Sequence, residues 1–538
     1  MNRENDTNNG RPGLQLGVCR YVGQLGLTLL VAFGAIDNVR SEELGKTPNI
    51  VFLMADDHRS LALGSRGNEE IMTPNLDQLA KDGISFTRCY ATSPLCLASR
   101  ATVMTGMYEY KTGCNFSTGK LSAADWARSY PILMREAGYL TAFAGKWGFP
   151  TEALNYAEQF DKWGGFKGAG QGSFETGKNP SLISYAEKYP HVSKALGAFG
   201  RDFIRESTEA NKPFCLSLSF KAPHKPHNYV EPETEPYYEE VTFPKSASWG
   251  ETGLEALPLQ AKLGRQYAQR KEWIDAEEYQ RHLRVYYQLI SGVDLAVGMV
   301  LKELEELGIA DNTVVIYTSD NGYFCGSHGL QGKVLPYDDA ALIPLIVRDP
   351  SSASSGQTSG AVVGNIDFAP TMLDYAGLPI PEQMDGKSIR PLIDDSQARV
   401  RESLLVIQNW GWARDDHSRA LAVATEEHKY IHWCFGDENV PPSEELFDTD
   451  NDPEELKNLA ANPEAAEVLK KMQSFYDAFH AEWSENCVDS EAYTRHRQIF
   501  SRHIPWQEKE FQNTGSKTSA GMKKVYEELT GMAPSGDK

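Results

Sequence analysis

Runs of apolar residues that end abruptly in acids recur along this chain, separated by stretches with helical spacing. Asn49–Asp57 (NIVFLMADD) is apolar until its last residues. That is the pattern of a strand covered on both faces, with carboxylates at its C-terminal edge. Thr313–Ser319 (TVVIYTS) repeats it and runs into Asp320-Asn321-Gly322. Further strands are predicted at Ile84–Tyr90, Leu140–Ala144, Phe214–Phe220 and Ile343–Val347. Between them the spacing predicts helices from Thr73-Pro74 to Ala80, and over Ala98–Gly106, Tyr130–Gly138, Ala195–Glu206, Glu278–Leu307 and Asp367–Ala376. Strands alternating with helices define an α/β fold with a large, mostly parallel sheet sandwiched by helices, here over residues 47–390. Beyond Arg390 the texture changes to short strands, Leu404–Gln408, Ala420–Thr425 and Lys429–Trp433, followed by a helix around Ala465–Phe479. Residues 391–485 therefore read as a smaller C-terminal α+β subdomain with an antiparallel sheet. Residues 486–538 carry few periodic apolar positions and read as an extension that wraps the surface or is partly disordered. Three stretches show little periodicity: a Gly-rich, aromatic insertion at 149–193, an acidic, Pro-rich surface excursion at 228–278, and a flexible loop at Ser351–Gly360. There are no internal repeats.

The length of 538 residues supports more than one domain, and a net charge of -21 argues against a nucleic-acid partner. An anionic substrate would have to be drawn by a local cluster of cations. The eight cysteines include no C-x-x-C pair, so neither a zinc site nor a disulfide framework is signalled. Arg11 and Arg20 precede the apolar run Leu25–Ile36, and Ala32-Phe33-Gly34 offers a small-x-small cleavage site. Residues 1–36 read as a signal peptide, and the chain as exported, periplasmic or secreted. The run is too short for a comfortable membrane span, so none is expected after signal removal.

The acid pair Asp56-Asp57 and the acid-and-amide pair Asp320-Asn321 offer hard oxygen donors suited to Ca²⁺ or Mg²⁺ rather than zinc. Either pair alone reads equally well as a cap or a solvated turn; two pairs, each ending a buried strand, point to a metal. Cys96 lies in Ser93-Pro94-Leu95-Cys96-Leu97-Ala98-Ser99-Arg100, at a predicted helix start that suits an anion, with a cationic fork one turn on. In isolation it reads as a buried structural thiol. Three more segments carry polar chemistry: Gly145-Lys146-Trp147-Gly148, Lys221–His227, and the Gly-rich loop from Gly326 to Lys333.

The order of Asn49–Asp57, Cys96–Arg100, Gly145–Trp147, Pro223–Pro226 and Asp320–Gly322 resembles the type I sulfatases of the alkaline phosphatase superfamily. The resemblance runs from about Thr47 to Asn458 and includes Glu445-Leu446-Phe447-Asp448 and Asp452-Pro453-Glu454. It implies an alkaline phosphatase-like fold and a nucleophile made by a sulfatase-maturing enzyme, which oxidises Cys96 to formylglycine. It also implies one Ca²⁺, with Mg²⁺ less favoured, held by Asp56, Asp57, Asp320, Asn321 and residue 96. Arg100 would steady the modified residue, Lys146 and Lys333 would hold sulfate oxygens, and His224 would protonate the leaving alcohol. Two positions depart from the family pattern. Gly148 stands where Gly-Lys-x-His is common, which leaves His58, His227 and His328 as candidates for the missing base. Ala98 replaces the commoner Pro, a variant more typical of anaerobic radical-SAM maturases.

The function expected is hydrolysis of a sulfate ester on a carbohydrate. Trp163–Phe174 and Trp410–Trp412 would stack on sugar faces, while residues 149–193 and 225–275 would shape specificity. The alternatives are a phosphonate monoester or phosphodiester hydrolase of the same superfamily, or, in view of Gly148, a glycan-binding pseudo-sulfatase.

Overall fold

A computed structural model describes residues 47–116, 119–168, 170–411, 416–511 and 519–532. The segment read as a signal peptide lies outside the described residues. The large sheet is built from β1 (Asn49–Asp56), β2 (Ile84–Tyr90), β3 (Leu140–Gly145), β4 (Lys162–Gly165), β5 (Phe214–Pro223), β6 (Thr313–Ser319), β7 (Leu345–Arg348) and β8 (Gln357–Gly364), in the order β4-β3-β5-β1-β6-β7-β2-β8. All pairings are parallel except those of β7 with β6 and β2. β1 is central and buried throughout, and its alternating side chains serve two cores. Ile50, Phe52 and Met54 face the helices Cys96–Thr105, Tyr130–Glu136 and Phe368–Tyr375. Val51, Leu53 and Ala55 face the helices Val192–Glu209 and Ala276–Glu306. This double burial explains why the strand is a continuous apolar run.

A second, antiparallel sheet contains β9 (Leu404–Gln408), β10 (Ala420–Ala424), β11 (His428–Trp433) and β12 (Ser443–Asp448), in the order β12-β11-β10-β9. The helix Ala466–Asn486 packs against it through Met472, Tyr476 and Trp483. Among the described residues, no helix is long and apolar enough to cross a membrane.

Four segments differ from the sequence reading. The stretch assigned to a flexible loop ends in β8, which pairs with β2 at the sheet edge. The 149–193 insertion supplies the opposite edge, β4. Residues 228–278 are not only a surface excursion, because Tyr238, Phe243 and Trp273 are buried in an aromatic cluster with Tyr279, Tyr286 and Tyr323. Past residue 485, Tyr493, Ile499 and Phe500 complete the core beneath the small sheet. In each segment a few large side chains are buried without the period-2 or 3.6 spacing that betrays burial in a sequence.

Buried polar ties join the small sheet to the Tyr337-Asp338 segment that lies between β6 and β7. Lys429 of β11 pairs with Asp338 and, at 2.7 Å, with Glu455. Glu445 of β12 accepts hydrogen bonds from Tyr337 Oη and Trp433 Nε1, both at 2.7 Å. Burial raises the Glu445 carboxyl from 4.5 to about 7, against the pull of those two donors. A carboxyl whose pKa rises on folding contributes stability that is full below its unfolded value and is lost as pH rises through its folded value. Replacing Glu445 by Gln should therefore remove about 2–3 kcal/mol from the loss of unfolding free energy between about pH 5 and pH 8. Urea unfolding of both proteins at the two pH values checks this, and parallel losses would contradict it.

Candidate active site

The in-register pairing of β1 with β6 sets Ala55 beside Ser319, so the acids that follow each strand emerge together at the C-terminal edge. Such edges are where open α/β sheets place their sites. Asp57, at φ 68, turns its backbone N–H onto Asp320 Oδ1 at 3.2 Å, and Asn321 Nδ2 donates to Asp57 Oδ1 at 2.7 Å. Asp56, Asp57, Asp320 and Asn321 are all buried.

The helix Cys96–Thr105 starts two residues earlier than its spacing suggests, so Cys96 occupies the first turn, where backbone N–H groups lack intrahelical partners. Every residue of this helix is buried. Its position is pinned by Ser99, whose hydroxyl donates to the Asp320 carbonyl and accepts from Asn365 Nδ2 at 2.8 Å. Arg100 then reaches across the sheet edge. Its Nε donates to Asp320 Oδ2 at 2.8 Å, its NH1 to the Lys146 carbonyl at 2.8 Å, and its NH2 lies 3.5 Å from Asp56 Oδ2.

β3 delivers Lys146, whose ammonium binds Asp56 Oδ2. Gly145 makes this possible: at φ +98, its Cβ position would fall 1.9 Å from the Ser219 carbonyl of the adjacent β5. Lys333, from the Gly-rich loop after β6, binds Asp57 Oδ1 and lies 3.7 Å from Asp56 Oδ1. His224, just beyond β5, donates Nδ1–H to the Lys225 carbonyl at 2.7 Å and presents Nε2 at 3.9 Å from Asp57 Oδ2. This hydrogen bond assigns the tautomer and leaves Nε2 as the atom that exchanges a proton. All nine residues named from the sequence therefore converge on one sheet edge.

The charges are arranged unevenly. Burial alone would raise Asp56, but Lys146, His224, Arg100 and Lys333 hold it well below the usual carboxylate range. Burial pushes Asp57 up, against Lys333. It pushes Asp320 up to about 6, with the Asp56 charge adding to the effect and Arg100 opposing it. Desolvation would lower the Lys333 ammonium, yet Asp57 alongside it, with smaller contributions from Cys96, Asp56 and Asp320, holds it well above its ordinary value. Desolvation also keeps the His224 imidazole well below its ordinary value, against Asp56 and with Lys333 and Lys146 adding to the shift.

Asp56, Asp57 and His224 bring ligand atoms within 4.8 Å of one another and could hold a metal ion. Asp56 Oδ1 and Asn321 Oδ1 are buried and accept no hydrogen bond. Hard, orphaned oxygens of this kind fit a divalent cation of the Ca²⁺ or Mg²⁺ type.

None of the three histidines considered as substitutes enters the site. His58 is saturated, with Nδ1 at 2.7 Å from Tyr317 Oη and Nε2 at 2.8 Å from the Ala62 carbonyl. His227 sits among Trp273, His282, Tyr286 and Tyr323, and His328 stacks on Tyr337. The reason for Gly148 is steric. At φ +86, its Cβ position would fall 2.5 Å from Arg100 Cδ and 3.5 Å from Lys146 Cε. The arginine stem fills the room a side chain would need.

A cavity of about 370 Å³ opens over Cys96 and is bounded by His224, Lys333, Lys225, Arg265, Phe116 and Trp410, among others. Its wall was not evident in the sequence, because Phe116, Gln171, Arg265 and Gln331 come from separate loops. Lys221, buried beside Asp56 and Asp57 and lying 4.9 Å from the Phe174 ring, was also missed. Of the aromatic segments expected to stack on sugar, Trp163 instead packs on Phe143 and Trp147, and Phe166 and Phe174 are buried. Trp410 does line the cavity, while Trp412 lies outside the described residues. Gln266 ties the cavity wall to the site: its Nε2 donates to the Lys333 carbonyl, and its own carbonyl accepts from Gln331 N at 3.3 Å.

The sheet with its acid-lined edge fits the alkaline phosphatase superfamily, and the family comparisons place the chain there. The Sulfatase family model matches residues 48–378, and the C-terminal model of N-sulphoglucosamine sulphohydrolase matches residues 326–481. The chain belongs to the sulfatase family and is a sulfuric ester hydrolase. It is 29% identical to an N-acetylglucosamine-6-O-sulfatase of Bacteroides thetaiotaomicron, across 86% of this chain and 92% of the relative. It is 28% identical to an arylsulfatase of Clostridium perfringens, across 78% and 92%. A solved structure in complex with its substrate D-glucosamine-2-N,6-O-disulfate superposes with a TM-score of 0.68 at 28% identity, covering 82% of this chain and 99% of that one. A phosphonate monoester hydrolase of Agrobacterium radiobacter shares the fold, with a TM-score of 0.65 at 22% identity over 81% and 96% of the two chains.

Replacing Gly148 by Ala should displace Arg100 and lower kcat by about 10-fold or more with little change in thermal unfolding beyond about 2 kcal/mol. Sulfate-release kinetics paired with a melt test this. An alanine variant with unchanged kcat would show that the arginine stem is free to move.

Proposed function

We propose that this chain is an exported, metal-dependent sulfatase that removes a sulfate ester from a carbohydrate. The observation that carries the substrate class is the cavity over Cys96. The amide oxygens of Gln331 and Gln171 line it without hydrogen-bond partners, as acceptors for sugar hydroxyls, and Trp410 and Phe116 offer aromatic surface. The sulfated glucosamine named for one solved relative and the N-acetylglucosamine sulfate named for another are of the same class. Export rests on the apolar run within residues 1–36.

Asp56, Asp57, Asp320, Asn321 and residue 96 would hold one Ca²⁺, with His224 close by. When bound, such an ion lowers the pKa of a nucleophilic hydroxyl and offsets developing negative charge. Cys96, oxidised to formylglycine by a maturing enzyme, would supply a hydrated aldehyde with two hydroxyls on one carbon. Within the site, three carboxylates (Asp56, Asp57, Asp320) face three cations (Arg100, Lys146, Lys333). A divalent ion therefore tips the balance positive, and an anionic ester is drawn in despite a net charge of -21. Arg100 orients residue 96 through the Asp320 carboxylate and the first helical turn. Lys146 and Lys333 meet the sulfate oxygens. His224 is the one histidine on the cavity wall among the described residues, so the proton movements fall to its Nε2: taking the proton of the attacking hydroxyl and giving it to the leaving alcohol, which leaves Nε2 bare again to serve as the base for the second hydroxyl. On this reading Gly148 does not make a pseudo-sulfatase.

Mass spectrometry of the residue 96 peptide from natively matured protein is expected to show an aldehyde in place of the thiol. Cys96→Ala and Asp320→Ala should each lower sulfate release by about 10³-fold or more. Chelation should abolish turnover and lower the melting temperature, with Ca²⁺ restoring both better than Mg²⁺. Aryl sulfate, phosphonate and phosphodiester substrates assayed in parallel should favour the sulfate. A dominant phosphodiesterase rate overturns the proposal.

A further inference from the structure

Two cations on the cavity wall are left over once the sulfate-ester machinery is assigned. Arg100, Lys146 and Lys333 are each engaged by Asp320, Asp56 or Asp57. Lys225 and Arg265 line the same cavity, yet neither forms a salt bridge to a carboxylate among the described residues. Among other buried or half-buried cations, Arg59 is matched by Asp339, Arg88 by Asp450, Lys111 by Asp385 and Arg401 by Asp367, whereas Arg66, Lys221 and Arg270 form no salt bridge among the described residues but lie away from this cavity's wall. In a protein of net charge -21, these two like charges face one small cavity and repel one another, with Asp57 and Glu272 acting on Lys225 only from beyond salt-bridge range. Their placement makes sense if the compensating charge arrives with the ligand.

The surroundings fit such a ligand. The Arg265 guanidinium lies 5.6 Å from the Trp410 ring centroid, which holds the fork over an aromatic face. Phe116, 54% exposed, meets Trp410 edge-on at 6.4 Å and extends that floor. Gln331, 8% exposed, turns an unpartnered amide oxygen into the cavity. At about 370 Å³, the cavity accommodates one sugar ring with its substituents and the near part of a second.

We infer that Lys225 and Arg265 form a second anion subsite, which binds a sulfate or carboxylate that the glycan carries in addition to the ester being cleaved. The inference rests on the sulfatase reading only for placing the scissile ester at residue 96. The substrate class it names is a multiply charged glycan, and the subsite acts on recognition, not on bond cleavage.

The test compares the matured full-length wild type with the Lys225→Gln/Arg265→Gln double variant, which keeps side-chain length and polarity while removing charge. Three sugars share one scissile ester: N-acetylglucosamine 6-sulfate, glucosamine N,6-disulfate, and a disaccharide that adds a glucuronate to N-acetylglucosamine 6-sulfate. The wild type should prefer at least one doubly charged sugar by kcat/KM, and which one it prefers tells sulfate from carboxylate. The double variant should cut that preference by about 30-fold or more, mainly through KM, as expected for losing two charge-assisted contacts. Calorimetric binding of the same sugars to a Cys96→Ala protein, with and without the two Gln substitutions, gives a readout independent of turnover. If no sugar is hydrolysed but the binding preference is present and charge-dependent, the subsite stands and the sulfatase reading falls. If sulfate is released with no preference for double charge, or the double variant loses equally on all three sugars, the subsite falls and the sulfatase reading stands. A wild type that neither binds nor cleaves any of the three overturns the subsite.

Discussion

Three carboxylates emerging from neighbouring parallel strands cannot all stay ionised at a dry sheet edge unless positive charge is brought to them. The register that sets Ala55 beside Ser319 creates the crowding. The remaining architecture around the site supplies the remedy. Arg100 arrives on a buried helix, Lys146 at the end of β3 and Lys333 on a Gly-rich loop, three separate routes to one place. The close approach of Gly145 to Ser219 belongs to the same solution, since the Ser219 hydroxyl and the Lys146 carbonyl both accept from Arg100 NH1. Truncating any of these cations would leave a buried charge uncompensated, a larger penalty than the loss of one hydrogen bond.

The same crowding explains the poise of the groups. Asp56 is surrounded by cations and held ionised, while Asp320 is pushed up to about 6 by burial first and by the Asp56 charge second. Neighbouring acids that are driven apart in proton affinity are a mark of sites that handle charge in a reaction.

The parts legible in the sequence were those whose physics is local. β1, β5 and β6 lie in the middle of the sheet, so burial on both faces wrote continuous apolar runs into them. The acid pairs could be read because they end such runs, and Cys96 and Arg100 because one helical turn links them. The edge strands β4 and β8 were illegible: KWGG and QTSGAVVG satisfy one neighbour only and carry no alternation. The packing of residues 228–278 was hidden for a related reason, since its tyrosines and tryptophans cluster in space without regular spacing. Gly148 could be seen to depart from a pattern, but its cause needed the arginine stem that passes 2.5 Å from its missing Cβ. The cavity wall was beyond reach because Phe116, Arg265, Gln331 and Trp410 meet only through tertiary folding.

The hydrogen bond from the Gln266 side chain to the Lys333 carbonyl has a consequence for how such a protein can change its diet. Arg265 lines the cavity and its neighbour Gln266 braces the backbone of the lysine set against Asp57, so a point change in this segment bears on both. Taste and speed are thus inherited as a package. A lineage shifting to a differently charged glycan would be expected to exchange the whole turn from Gly264 to Gln269, brace included, rather than to drift there one residue at a time.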